Sequence, residues 1–188
     1  MLEDQRYVLA QIVDIAREHQ VDAVLIAGDI YDRSIPPAEA IILLDDTLNQ
    51  LCNVLSIPVI LIAGNHDGAE RLSFGNRQLT TAGLHIVGQL EAEPNPIVLP
   101  GPHDDVAFYA LPYTDPLRVR ETCGVEISSH EQAMAHLTAQ IRNHNPPERP
   151  CVLIGHCSVE GASTSSKSAK VRVRNRSAHA KLDSTCAI

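Results

Sequence analysis

Three short apolar runs in this chain each end in a glycine that is followed at once by a polar side chain. Uninterrupted apolar runs of this length, rich in Val, Ile and Leu, predict strands that are buried on both faces. The carboxyl ends of parallel strands meet at one crevice, so the three polar positions are expected to converge there. The runs are residues 23–27 before Gly28 and Asp29, 59–63 before Gly64 and Asn65, and 152–154 before Gly155 and His156.

Apolar residues between these runs recur at helical spacing, which predicts helices that each bury one face. Pro36 and Pro37 favour a helix start, and residues 128–131 form a capping box before another helix. The predicted inward faces are Val8, Ile12, Ile15 and Ala16 in residues 2–19; Ile41, Leu44, Leu48 and Leu51 after the two prolines; and Met134, Leu137 and Ile141 after the capping box.

The order of these patterns predicts an α/β fold. Strands that alternate with helices indicate βαβ units and a parallel sheet. A short strand is predicted at residues 84–87, after a short helix and loop. Residues 96–99 and 106–111 then indicate an antiparallel hairpin, because a Gly-Pro turn segment separates two strand-like runs.

Length and charge restrict the class of protein. With 188 residues, of which 44% are hydrophobic, the chain has room for one domain of ordinary size. It has no apolar run long enough to span a membrane and no basic leader at its start, so a cytoplasmic protein is predicted. The net charge of −8 argues against a protein that grips nucleic acid through a basic face.

The composition changes near residue 166. Before that point the chain has nine Arg, no Lys and 22 acidic residues, whereas residues 167–188 have three Lys, three Arg and one Asp. The last segment also has little to bury. Residues 1–165 are therefore predicted to form the domain, and residues 166–188 a basic, disordered tail.

The polar residues at the strand ends are suited to binding metal. Asp29 offers a carboxylate, Asn65 an amide oxygen and His156 an imidazole, a mixed set that suits Mn²⁺, Fe²⁺ or Zn²⁺ better than Ca²⁺. A carboxylate can bridge two cations, and such a pair hydrolyses phosphate esters. His66 follows Asn65, and its imidazole is able to protonate a leaving oxygen.

Each of these residues also has a purely structural interpretation. Asp29 could cap a turn, Asn65 could occupy a left-handed turn position, and His156 could be a hydrogen-bonded histidine of the core. The combination of all three after glycines, at three strand ends, favours the functional interpretation.

The same motifs resemble those of a known superfamily. Residues 28–33, 64–67 and 155–156 are similar to the middle motifs of the calcineurin-like metallophosphoesterases, and residues 2–7, 32–40 and 156–163 resemble the SbcD family of bacterial nuclease subunits. The likeness covers residues 2–165. It implies a metallophosphoesterase-type β-sandwich flanked by helices, here expected to be incomplete, without the first strand and the C-terminal part.

The resemblance also implies an activity and its partners. Proteins of this kind are ATP-dependent double-strand DNA exonucleases that also cut hairpins as endonucleases, in DNA recombination and replication. They use two Mn²⁺ ions, with Mg²⁺ as an alternative, and act with an SbcC-type ATPase subunit and a second SbcD-like subunit. The acidic composition fits such a protein, because metals and partners supply positive charge.

Roles carry over to six residues of this chain as expectations. Asp29 would bridge the two metals, and Asn65 and His156 would both bind the same one of them. His66 would act on the leaving group. Asp67 would brace the loop, and Asp32 would lie in the shell of residues around the metal ligands.

The chain departs from the family pattern at two points. An Asp-x-His motif on a first strand and a Gly-His-x-His motif after the third strand are not found, and His179 is the one histidine after His156. We expect a truncated or frameshifted chain with about half of a dinuclear site. Three donors are too few to hold two divalent ions, so weak or absent metal binding and little nuclease activity are expected.

Two other functions remain open at this point. The chain could be a different metallophosphoesterase, such as a phosphatase or a cyclic-nucleotide phosphodiesterase. It could also be a non-catalytic remnant that only pairs with a partner.

Overall fold

The structure is a computed structural model in which residues 2–158 are described. The predictions for residues 159–188, including the basic tail and His179, lie outside the described residues. None of the helices in the described part is long and apolar enough to cross a membrane.

Helices and strands alternate through the first half of the described chain, as the apolar pattern predicts. In chain order the elements are α1 (Leu2–Glu18), β1 (Val24–Ala27), α2 (Ala38–Asn49) with a π-helical extension (Gln50–Val54), β2 (Val59–Ile62), α3 (Ala69–Leu72), α4 (Asn76–Leu79) with a 3₁₀ turn (Thr80–Ala82), β3 (Leu84–Val87), β4 (Ile97–Leu99), β5 (Val106–Leu111), α5 (Pro116–Cys123), α6 (His130–His144) and β6 (Cys151–Gly155).

The strands form two three-stranded sheets. The first has the order β1-β2-β3 and is entirely parallel, which confirms the predicted βαβ units. In the second, β5 lies between β4, its antiparallel hairpin partner, and β6, which runs parallel to it. The parallel pairing places the carboxyl end of β6 beside that of β5.

The two sheets pack face to face, and helices cover their outer faces. Ile60, Ile62 and Ile154 are fully buried between the sheets. Burying one such side chain stabilises the fold by about 1.5–3 kcal/mol. Other strand residues point outward, where Val59 of β2 packs with α1, and Tyr109 of β5 packs with α5 and α6. The described residues thus contain the expected β-sandwich with flanking helices.

The predicted inward faces of the first two helices were correct at some positions and wrong at others. In α1, Ala16 is buried as predicted, whereas Val8 and Ile15 are 49% and 40% exposed and Val13 is buried instead. In α2 and its extension, Leu51 is buried as predicted, whereas Ile41 is 48% exposed and Leu43 and Thr47 are buried. An apolar stripe at helical spacing was present on more than one side of each helix, and only packing against the sheet selects between the sides.

Two local features of the second half differ from the sequence pattern. Helix α5 was not predicted, although Asp115 caps it and Gly124 ends it in a left-handed conformation. The capping box of α6 lies one residue later than predicted. The Ser129 hydroxyl accepts from the backbone N–H of Gln132 at 3.2 Å. The side-chain oxygen of Gln132 accepts from the backbone N–H of Ser128 at 2.9 Å.

Candidate metal centre

The ends of β1, β2 and β6 meet so closely that only glycine fits between them. A Cβ on Gly28 would overlap the imidazole of His156, and a Cβ on Gly64 would overlap the backbone and carboxylate of Asp29. Gly28 also has a φ of +89°, a conformation that side-chain-bearing residues rarely adopt. Gly28 therefore allows the ends of two different sheets to approach, and Gly64 allows the ends of β1 and β2 to approach within one sheet.

His156 faces three oxygen atoms across the gap between the sheets. Its Nδ1 lies 2.9 Å from the carbonyl oxygen of Ala27, and its Nε2 lies 2.9 Å from Asn65 Oδ1 and 3.5 Å from Asp29 Oδ1. A carbonyl oxygen can only accept, so Nδ1 must carry the proton in the neutral ring. The lone pair of Nε2 then points at two oxygens that are also acceptors.

Three lone pairs that converge in this way suit a cation. Ligands about 2.1 Å from one divalent cation lie roughly 3 Å from each other, which is close to the 2.9 and 3.5 Å that separate Nε2 from the two oxygens. The hydrogen bond from Nδ1 to a main-chain carbonyl is the usual second contact of a metal-binding histidine. The donor set is one nitrogen and two oxygens, a mixed set that suits transition metals such as Mn²⁺, Fe²⁺ or Zn²⁺.

The described residues contain no cluster of three or more His, Cys, Asp or Glu side chains that could hold a metal. This agrees with the geometry, because the third donor here is the amide of Asn65. With Asp29 and His156 that makes three donors. The residues therefore fit one cation with open positions, and they do not by themselves enclose two.

Asp29 is both strained and accessible. Its φ is +48°, in the left-handed region that is uncommon for a residue with a side chain. Its side chain is 43% exposed, whereas that of His156 is 22% exposed. Its Oδ1 also accepts from the His66 amide at 3.3 Å. The turn after β1 thus presents this carboxylate to both neighbouring strand ends and to solvent.

Asp67 joins the loops after β1 and β2. Its carboxylate accepts from the backbone N–H groups of Ile30 at 3.0 Å, Tyr31 at 2.9 Å and Gly64 at 2.8 Å. Burial, and then the negative charge of Asp67, raise the pKa of the Tyr31 phenol above its ordinary value. Three donated hydrogen bonds hold the two loops in one arrangement.

His66 and Asp32 lie at the exposed side of this cluster. His66 Nδ1 is 3.0 Å from the backbone carbonyl of Asp32. The Asp32 carboxylate itself is 90% exposed and pairs with Arg33 at 3.6 Å. Asp32 therefore contacts His66 through its main chain, whereas its side chain points away from the three donors.

Tyr113, at the end of β5, was not among the predicted site residues. Its ring lies edge-on to the His156 ring, with centroids 6.2 Å apart and planes at 78°. The signal was available, because residues 112–116 follow a buried strand and place an aromatic residue between two prolines. It was missed because β5 ends without the glycine that marks the other three strands.

A family model confirms the predicted family and fold class. The model of the calcineurin-like phosphoesterases matches residues 2–179. This chain belongs to the calcineurin-like phosphoesterase family. The family's hydrolysis of phosphate esters and its use of divalent metals agree with the donor set at the strand ends. The match passes residue 165, and the domain boundary predicted there stays a prediction.

A curated relative narrows the resemblance within these phosphoesterases. The chain is 39% identical, over 166 residues, to a Staphylococcus epidermidis protein named as the SbcD component of the nuclease SbcCD. The aligned part is 88% of this chain and 43% of that protein. The chain thus spans less than half the length of its relative.

Proposed function

We propose that this chain is an SbcD-like nuclease subunit that hydrolyses phosphodiester bonds of DNA with the help of two Mn²⁺ ions, or Mg²⁺ in their place. The observation that supports the proposal is the approach of Asp29, Asn65 and His156 from two sheets, with His156 Nε2 2.9 Å from Asn65 Oδ1 and 3.5 Å from Asp29 Oδ1. The relative's name supports DNA as the substrate.

The residues take the following roles in this proposal. Asp29 would be shared between two metal positions, because its carboxylate has two oxygens and is partly exposed. Asn65 and His156 would complete one of these positions. Bound ions supply the charge that activates water and stabilises the oxygens of the phosphodiester.

The chain's own side chains would provide the remaining steps. His66 would give a proton to the leaving oxygen, because its exposed imidazole lies beside the cluster and is held by the Asp32 carbonyl. Asp67 would keep the loops of Asp29 and His66 in register through its three hydrogen bonds.

The relative and the net charge support a proposal for the partners. We propose that the chain acts in the cytoplasm with an SbcC-type ATPase subunit and a second SbcD-like subunit, on double-stranded or hairpin DNA in recombination and replication. The described residues include no Lys, and the whole chain has a net charge of −8. Much of the contact with phosphates would therefore come from metal ions and partner subunits.

The test is a comparison of substrates. Linear double-stranded DNA, hairpin DNA and p-nitrophenyl phosphate are incubated with the chain in Mn²⁺ and in EDTA. We expect slow, Mn²⁺-dependent cleavage of DNA in preference to the monoester. Asp29→Asn should abolish this cleavage. Asp32→Asn should leave it unchanged, because the Asp32 carboxylate is 90% exposed.

Other outcomes would change the assignment. Preference for p-nitrophenyl phosphate would indicate a phosphatase, and no hydrolysis together with binding to an SbcC-type protein would indicate a non-catalytic subunit. Calorimetry with Mn²⁺ measures the site itself. We expect weak binding, since three donors are present, and tight binding of two ions would contradict that expectation.

A further inference from the structure

The loop after β5 crosses from the second sheet to the first. The backbone N–H of Tyr113 donates to the carbonyl oxygen of Ala63 at 2.8 Å. Ala63 directly follows β2 and precedes the loop that carries Asn65. The main chain of Tyr113 is thus fixed to the same strand end that supplies a metal donor.

The side chain of Tyr113 stands beside the donors. Its ring lies edge-on to His156, and the residue is 42% exposed. The ring is therefore in contact with a metal-binding imidazole on one edge and open to solvent elsewhere. Of the chain's two Phe and four Tyr, this one has its ring against a residue of the donor cluster.

The loop that carries this ring is restrained at both ends. Pro112, which precedes Tyr113, is buried, and Pro116 is the first residue of α5. The Asp115 side chain caps that helix by accepting from the Arg118 amide at 2.8 Å. An aromatic ring held this way loses little conformational entropy when a ligand packs against it.

We infer that Tyr113 is a substrate-positioning residue on which the base next to the scissile phosphate stacks. Stacking on an aromatic side chain is tolerant of sequence, because every base has a π-face. The inference rests on the proposed function, and it adds the specificity of the site: nucleotide substrates with an unpaired base, rather than any phosphate ester. Bases within a duplex are stacked on both faces, so a strand end or single-stranded segment is required.

Binding of two DNA octamers tests this inference without relying on hydrolysis. The probes are fluorescently labelled oligothymidylate and an octamer of the same phosphate charge in which abasic tetrahydrofuran units replace the nucleosides. Anisotropy in EDTA measures the affinity of the full chain for each. We expect the chain to bind oligothymidylate about tenfold more tightly than the abasic octamer.

Three variants test whether the Tyr113 ring causes this preference. Tyr113→Ala should bind both octamers equally, and Tyr113→Phe should keep the tenfold ratio, because stacking needs the ring and not the hydroxyl. Tyr7→Ala is the matched control, since Tyr7 is 65% exposed on α1 in the outer helical layer. It should also keep the ratio.

A second measurement distinguishes stacking of a base on Tyr113 from a role in which Tyr113 only holds the His156 ring in place. The p-nitrophenyl ester of thymidine 5′-phosphate and methyl p-nitrophenyl phosphate share a leaving group and differ in the nucleoside. Tyr113→Ala should lower kcat/KM about tenfold for the first and less than twofold for the second.

The inference is overturned if the unaltered chain binds the two octamers equally or binds neither. It is also overturned if Tyr113→Ala keeps the ratio, or lowers kcat/KM equally for both esters. Failure of the proposed nuclease function would appear instead as a lack of Mn²⁺-dependent cleavage, whatever the octamers show.

Discussion

Gly64 allows the carboxylate of Asp29 to approach the end of β2. A Cβ at this position would overlap the Asp29 backbone as well as its side chain, and backbone cannot swing away as a flexible side chain can. Gly155 precedes a donor in the same manner, yet a Cβ there would meet nothing within 4 Å. Packing therefore requires glycine at position 64 and does not require it at position 155, although both precede a donor.

Gly64→Ala is expected to displace Asp29. We expect a loss of about 1–3 kcal/mol of stability, as for other overpacked sites, and a large loss of Mn²⁺ affinity. Urea unfolding and calorimetry measure the two effects. Gly155→Ala is the control and should change stability by less than about 0.5 kcal/mol. Equal effects of the two substitutions would contradict the close approach described at Gly64.

Asp67→Ala is expected to separate the loops after β1 and β2. It would leave the N–H groups of Ile30, Tyr31 and Gly64 without their acceptor. Unsatisfied donors and lost charge-assisted bonds should together lower stability by about 2–4 kcal/mol. Asp105→Ala, at an exposed turn, should have little effect in the same unfolding experiment. A loss below about 1 kcal/mol for Asp67→Ala would show that the loops are held by other contacts.

At the scale of single elements, β3 contains an unusual residue for its position. His85 pairs with Ile60, a fully buried residue between the sheets, and is itself half-buried. Burial lowers the pKa of its imidazole, since the charged form loses hydration. The strand therefore favours the neutral ring.

The stability of the chain should depend on pH through His85. The folded state binds a proton at His85 less readily than the unfolded state does. The free energy of unfolding is therefore unaffected by this group above about pH 6.5, and it falls as the pH is lowered from there toward the lowered pKa. His85→Gln should reduce the fall in unfolding free energy between about pH 7 and pH 5. His103→Gln, at an exposed turn, should leave it unchanged. If both variants lose stability with acid as the unaltered chain does, His85 is not the responsible group.

At the scale of the whole molecule, the candidate metal centre joins the two sheets. Asp29 and Asn65 extend from the first sheet and His156 from the second, next to the main-chain bond from Tyr113 to Ala63. A cation held by all three donors would link the sheets at one edge of the sandwich. Metal binding and folding should therefore be coupled.

Mn²⁺ is expected to raise the melting temperature of the chain, and EDTA to reverse the increase. At a concentration about one hundred times the Kd, the gain is about 2.7 kcal/mol. Asp29→Asn should abolish the response, whereas Asp32→Asn should keep it, because that carboxylate points into solvent. Thermal unfolding followed by circular dichroism measures the shift. An unchanged response in Asp29→Asn would place the ion elsewhere.

The sequence by itself determined the strands, the hairpin and the candidate donors, because each is a local pattern of apolar runs, glycines and polar residues. Asp29, Asn65 and His156 follow glycines that packing requires at two of the three strand ends. The sequence did not determine which sides of α1 and α2 are buried, since both helices carry apolar residues on more than one side.

Only the tertiary structure decided how the two sheets stack, and that stacking sets the distances among the donors. It also turned the Asp32 carboxylate outward and brought Tyr113 against His156. The contacts between donors and Tyr113 join residues far apart in the chain, so no local pattern encodes them. The physical reason is the burial of Ile60, Ile62 and Ile154 between the sheets, which fixes the position of one sheet on the other.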